Sequence, residues 1–115
     1  MNPEALFNLL SDPTRLRALM LLLSEGELCV CELTFALEES QPKVSRHLAQ
    51  LRKAGIVQAR RSGTWMYYRL HPDLPPWVEQ LTQSVSESIG ELRGYQMDLV
   101  RLQEMPGRPG ATACG

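Results

Sequence analysis

At 115 residues, 43% of them hydrophobic and 22% charged, the chain has the make-up of one soluble domain with a modest core. Its longest apolar run, Ala18 to Leu23, is far too short to span a bilayer, and the opening Met-Asn-Pro-Glu-Ala lacks the basic start and apolar stretch of a secretory leader. A membrane location is therefore excluded and a cytoplasmic one expected, where paired cysteines serve as ligands or redox groups rather than as a structural disulfide. The net charge of −1 hides an asymmetry: seven basic and no acidic residues lie between Gln41 and His71, against five basic and thirteen acidic elsewhere. An acidic body with one basic face attracts phosphate and steers association with nucleic acid, although charge alone does not separate that from a solvated basic surface.

The first helix fits Pro3 to Leu10, with Ala5, Leu6, Leu9 and Leu10 at amphipathic spacing. Asp12 caps a second helix, Pro13 takes its first position, and Gly26 stops it after Leu16, Leu19, Met20 and Leu23. A third helix fits Val30 to Leu37. After the break at Glu38-Glu39-Ser40, Ser40 caps a fourth from Gln41 to Ala54, with Val44, Leu48 and Leu51 inward and Gly55 as the stop. Two helices joined by a short turn, the second capped and basic, read as a helix-turn-helix. Ile56 to Arg61 and Trp65 to Leu70 are β-prone runs around a glycine turn, a hairpin placed as a wing.

His71-Pro72-Asp73-Leu74-Pro75-Pro76 reads as a rigid linker into one long helix from about Trp77 to Leu102. Its seam of Val78, Leu81, Val85, Leu92, Tyr95, Leu99 and Leu102, broken once at Ser88, has heptad spacing. A domain this small rarely needs such a helix for its own core, so the seam is expected to form a homodimer, joined by Leu6 of the first helix. The fold class is thus mainly α with a small β-hairpin wing, a winged helix-turn-helix with a long C-terminal dimerisation helix. Residues 1–105 form the domain and 106–115 a disordered tail.

On the fourth helix the face opposite the core shows Gln41, Lys43, Ser45, Arg46, His47 and Gln50. Gln41 suits adenine and Arg46 suits guanine, while Ser40, Ser45, Arg52 and Lys53 are placed for phosphate. Arg60, Arg61 and Arg69 on the wing reach backbone or minor groove. Leu28-Cys29-Val30-Cys31-Glu32-Leu33 sets two thiols two residues apart ahead of this reader. On a regular helix they would point about 200° apart, so they grip one ion only where the helix begins or unwinds. Thiolates select soft ions; read on spacing alone, Cys29 and Cys31 are equally well a pair of small buried hydrophobes. No phosphate loop, activated nucleophile or triad appears, so an enzyme is not expected and no catalytic cofactor is called for.

Asp12-Pro13-Thr14-Arg15-Leu16-Arg17, Glu27-Leu28-Cys29-Val30-Cys31-Glu32-Leu33, Ser40-Gln41-Pro42-Lys43-Val44-Ser45-Arg46-His47-Leu48 and Gly63-Thr64-Trp65-Met66-Tyr67-Tyr68-Arg69-Leu70 together resemble the ArsR/SmtB family, and within it the arsenic-responsive repressors. The resemblance covers roughly residues 5–80. It implies a homodimeric winged helix bound to an inverted repeat in double-stranded operator DNA and released by As(III) or Sb(III), controlling arsenic resistance genes; a redox-sensing or other soft-metal-sensing repressor is the alternative. The family's zinc site of His with Asp or Glu on the long helix looks absent. The arsenic repressors carry a third cysteine three residues after the pair; here Thr34 stands there, and the remaining thiol, Cys114, is the candidate third ligand.

Overall fold

The computed structural model describes residues 1–108. Its helix starts are built caps. Asn2 Oδ1 accepts the Ala5 N–H at 2.7 Å to open α1, Pro3–Leu10. Asp12 Oδ2 accepts the Arg15 N–H at 3.0 Å to open α2, Pro13–Glu25. Gly26, at φ 88°, ends α2 in a conformation that a side chain resists. There follow β1, Glu27–Cys29, and α3, Val30–Leu37; then α4, Gln41–Lys53, capped by Ser40. The wing is β2, Val57–Ser62, and β3, Trp65–Leu70.

Sequence alone gives no sign of β1, because three residues are too few to show an alternation. The strand exists because β3 offers it an edge, pairing Glu27 with Arg69, Leu28 with Tyr68 and Cys29 with Tyr67. The expected hairpin is therefore a three-stranded antiparallel sheet of order β1-β3-β2. The core is shared by α2, α3 and α4 through Leu19, Leu22, Leu33, Leu37, Leu48 and Leu51, with Leu28, Ile56 and Val57 anchoring the sheet beneath it.

The single C-terminal helix expected from heptad spacing is two helices, α5, Pro76–Ile89, and α6, Arg93–Gln103. Gly90 closes α5 by donating its N–H to the Ser86 carbonyl, and Leu92, extended at ψ 143°, restarts the chain as the N-cap of α6. A Cβ at Gly90 would clash with the Ser86 carbonyl oxygen. With this break the seam no longer runs along one face. Val78 and Leu102, assigned to a dimer interface by their spacing, and Leu6, expected to join them, are completely buried in the protomer's own core. Leu81, Val85, Tyr95 and Leu99 are half-buried against that core, and Leu92 alone of the seam is well exposed. Arg17 of α2 and Arg101 hold α6 in place through the buried carboxylate of Asp98. Among the described residues no helix is long and apolar enough to cross a membrane.

Candidate functional site

α3 begins at the cysteines. Cys29 is its N-cap, extended at φ −84° and ψ 164°, and Cys31 is already inside the first turn. The opposed directions of a regular helix do not apply across such a start. The two Cα atoms lie 5.4 Å apart and the sulfurs are joined as a disulfide. The sequence reading of the pair as ligands or redox groups rather than a disulfide is thus met by a bonded pair, and any ligand role begins from its reduced form. Cys29 is fully buried, whereas Cys31 is partly exposed.

The turn that holds them is fixed from below by Glu32, whose sequence pattern alone does not mark it. Its Oε1 accepts the Cys29 N–H at 2.9 Å, and its Oε2 accepts from Arg108 Nε at 2.5 Å. Arg108 also donates to Glu25 at 3.1 Å. Burial works against the Arg108 charge, but Glu32 and Glu25 outweigh it and hold the guanidinium above its ordinary pKa. Sequence placed this arginine in a disordered tail, yet it reaches back to the first turn of α3. Cys114 lies outside the described residues.

Cys31 opens onto a cleft of about 610 Å³ between α3, the start of α4 and the wing. Val30, Thr34, Phe35, Trp65, Met66, Tyr68 and Met105 line it, with Gln41, Ser45 and Thr64 at its α4 and wing walls. Thr34 stands where the resemblance puts a third thiol, and its Oγ1 is buried without a hydrogen-bond partner among the described residues. Also among the described residues, no three His, Cys, Asp or Glu side chains are grouped to hold a metal ion, which leaves the two sulfurs as the soft donors the fold brings together.

α4 presents Gln41, Arg46, Gln50, Arg52 and Lys53 exposed, and Ser40 beside them; Lys43 and Ser45 are half-buried. Lys43 pairs with Glu39 at 3.1 Å. His47 departs from the exposed face expected of it. It is buried, with Nδ1 accepting from Arg15 at 3.3 Å and 3.7 Å from Asp12 Oδ2. Burial lowers its pKa, Asp12 opposes that, and the neighbouring cations Arg15, Arg46 and Lys43 lower it further. Helical spacing put His47 outward because it does not foresee Arg15, which also donates to the Leu9 carbonyl at 2.7 Å and to Gln50 Oε1, knotting α1, α2 and α4 together. On the wing, Arg60 makes a two-pronged pair with Glu27 at 2.9 and 2.6 Å and lies 4.6 Å over the Tyr67 ring. Arg69 donates to Gln58 at 3.3 Å, and Arg61 is exposed with no ion-pair partner among the described residues.

A reading helix over a wing, with a thiol pair at their junction, has relatives. The family profile described as bacterial regulatory protein, arsR family, matches residues 12–59. The arsenic resistance transcriptional regulator ArsR1 of Pseudomonas putida is 53% identical over 109 residues, covering 95% of this chain and 84% of that one. The arsenical resistance operon repressor of Escherichia coli is 51% identical over 79 residues, covering 69% and 68%. Among solved structures, the AntR antimony-specific transcriptional repressor superposes with a TM-score of 0.62 at 34% identity over 75% of each chain. A winged helix-turn-helix, matched in sequence along almost its whole length, places this chain in the arsR family of bacterial transcriptional regulators.

Proposed function

We propose that the chain is a homodimeric cytoplasmic repressor of arsenic resistance genes. It binds an inverted repeat in double-stranded operator DNA and leaves when As(III) or Sb(III) binds the reduced thiols of Cys29 and Cys31, with Cys114 as the candidate third thiolate. One observation carries the reading: the two sulfurs converge at the N-cap of α3, the helix on which the DNA-reading α4 packs. Two soft donors in contact fit a thiophilic trivalent metalloid. Gln41 and Arg46 are the base readers, and Ser40, Lys43, Ser45, Gln50, Arg52, Lys53, Arg60, Arg61 and Arg69 hold phosphate or its approach. The names of the relatives, which concern arsenic and antimony, support the inducer class.

The partner surface is the apolar area the protomer leaves open: Phe7 on α1, and Leu92, Met97 and Val100 along α6, each more than a third exposed. Leu81, Val85, Tyr95 and Leu99 form its inner margin. A metalloid would be held by the sulfurs of Cys29 and Cys31 in one coordination sphere, and because Cys29 is the N-cap of α3 this would reorient the first turn of α3 and with it the start of α4. A hundredfold loss of operator affinity needs about 2.7 kcal/mol of differential ligand affinity, within reach of thiolate bonds.

Fluorescence anisotropy of the reduced protein on DNA from upstream of its own gene tests this. Arsenite is expected to release wild type but neither Cys29→Ser nor Cys31→Ser; equal arsenite affinity for free and DNA-bound protein would sink it. The disulfide favours a second reading, a thiol redox sensor. Release by peroxide with indifference to arsenite would select that reading instead.

A further inference from the structure

We propose that Arg15 of α2 is the positioning residue for a DNA contact made by Gln50 of α4. Gln50 meets the operator through its amide NH₂, on a hydrogen-bond acceptor, either a phosphate oxygen or the acceptor edge of a base. The proposal rests on the operator-binding reading above and is independent of the thiols. The chemistry of the pair sets the direction of the amide. A guanidinium donates and never accepts, so the Gln50 atom bonded to Arg15 Nη1 is its oxygen, Oε1. The NH₂ is left over: Gln50 is exposed, and this group has no partner among the described residues.

Arg15 is itself firmly held. Its Nε donates to the Leu9 carbonyl at 2.7 Å and its Nη2 to the Asn8 carbonyl at 3.3 Å. Both carbonyls belong to the last turn of α1, a helix end with no basic residue of its own. Nη1 donates to Nδ1 of the buried His47 at 3.3 Å as well as to Gln50. Half-buried and bonded through every nitrogen, the guanidinium is a fixed peg against which the Gln50 side chain is laid.

The position on α4 makes that side chain useful. Lys43, Arg46 and Gln50 follow one another at spacings of three and four residues, so they form one stripe along the helix. Arg46 is the base reader of that stripe, and Gln50 lies one turn further on. A glutamine free to turn reads adenine with its oxygen and its NH₂ together. With the oxygen facing α2 that two-pronged contact is not offered, and a single donor remains, already set in place. A side chain ordered beforehand loses less freedom on binding than a free one.

The test is anisotropy of the reduced full-length protein on DNA from upstream of its own gene, against two series of probes. One series replaces single phosphates by methylphosphonate; the other changes single base pairs. Wild type is compared with Gln50→Ala, Gln50→Glu, Arg15→Met, Arg15→Lys and the Arg15→Met/Gln50→Ala double variant. One probe position is expected to raise the Kd of wild type about three- to tenfold and that of Gln50→Ala not at all, which identifies the acceptor. A methylphosphonate at that position puts it on the backbone, a base-pair change on a base edge. Gln50→Glu keeps an oxygen for Arg15 and lacks the NH₂. Its added charge weakens binding on every probe alike, and it should lose the response at the same position. Arg15→Met should lose most of that response although Gln50 is present, and adding it to Gln50→Ala should weaken binding by no more than about twofold further. Arg15→Lys, which keeps the charge without the fork, carries the test if Arg15→Met does not fold; it should show a reduced response at the same position and an unchanged one elsewhere. Loss for either Arg15 variant at a different phosphate, or loss that adds in full to that of Gln50→Ala, overturns the proposal, because Arg15 then meets DNA itself or acts on the fold at large. So does a Gln50→Ala protein that responds to every probe as wild type does. Wild type that binds this DNA no better than an unrelated duplex overturns the operator reading, and this proposal with it.

Discussion

Arg108 Nε lies 2.5 Å from Oε2 of Glu32, a residue with no exposed surface. The contact joins residues 76 apart in sequence and ties the end of the described chain to the first turn of α3. Removing the arginine leaves a buried carboxylate with one backbone N–H for company. Arg108→Ala is therefore expected to cost about 1–3 kcal/mol in urea unfolding. Glu32→Gln should cost less, because its amide oxygen still accepts from Cys29. A loss below about 0.5 kcal/mol for Arg108→Ala, the scatter expected of ordinary surface substitutions, would mean that the strap is not holding.

Asp98 is the corresponding fastening for α6. It accepts from Arg17 at 2.9 and 2.7 Å and from Arg101 at 2.5 Å, and that bond to Asp98, against some loss by burial, raises the Arg17 pKa. Asp98→Ala leaves Arg17 with Glu39 and the Leu37 carbonyl and Arg101 with Glu38 and the Ala36 carbonyl, and should destabilise by about 1–3 kcal/mol, seen as a lower melting temperature. Because α6 carries much of the proposed partner surface, the same variant should also weaken self-association in sedimentation velocity. An unchanged melting temperature would show that apolar packing alone seats α6.

His47 predicts a pH dependence. Its folded pKa lies below the ordinary 6.5, chiefly through burial. The unfolded chain therefore binds its proton first as pH falls, and the His47 contribution is intact above about 6.5 and is lost as pH drops from there toward the folded value. Glu27 and Asp12 also have lowered pKa values, Glu27 through its bond to Arg60 and Asp12 through backbone N–H bonds and nearby cations that outweigh burial. Their stabilisation is present above the unfolded values of 4.5 and 3.8 and is lost only as pH falls below them. His47→Gln should accordingly flatten stability as pH falls below about 6.5 and leave the acid limb in place. An unaltered profile in that window would assign it to another group.

The wing arginines are not equivalent. Arg60 is neutralised by Glu27, whereas Arg61 has no such partner among the described residues. Arg61→Ala is expected to reduce the slope of log K against log salt by about one, and Arg60→Ala by much less. Arg46→Ala should cost about 1–3 kcal/mol on the operator and relax preference at one base pair. Equal salt slopes for the two wing variants would mean that DNA pulls Arg60 away from Glu27.

Most helix boundaries were legible because caps are local: Asp12, Ser40 and Gly26 each announce themselves within a few residues. The cysteine pair was legible for the same reason, since a shared grip required the helix to begin there, and it does. What sequence could not show depends on distant partners. β1 needs β3 beside it, His47 is drawn inward among Asp12 and Arg15, and Glu32 becomes a site residue only when Arg108 arrives. The heptad reading failed at Gly90, where one residue without a side chain permits a turn that periodicity treats as continuous helix.

Cys29 ends β1, where it pairs with Tyr67 of β3, and caps α3. The same backbone position is thus a rung of the wing and the foot of the helix-turn-helix. On the function proposed above, detection and output share an address, with no relay between them to wear out by mutation. The stretch from Glu27 to Leu70 holds the thiols, the reading helix and the wing without interruption. Exchanging that one segment between related regulators, by recombination or by design, would move what is sensed and where it is answered together.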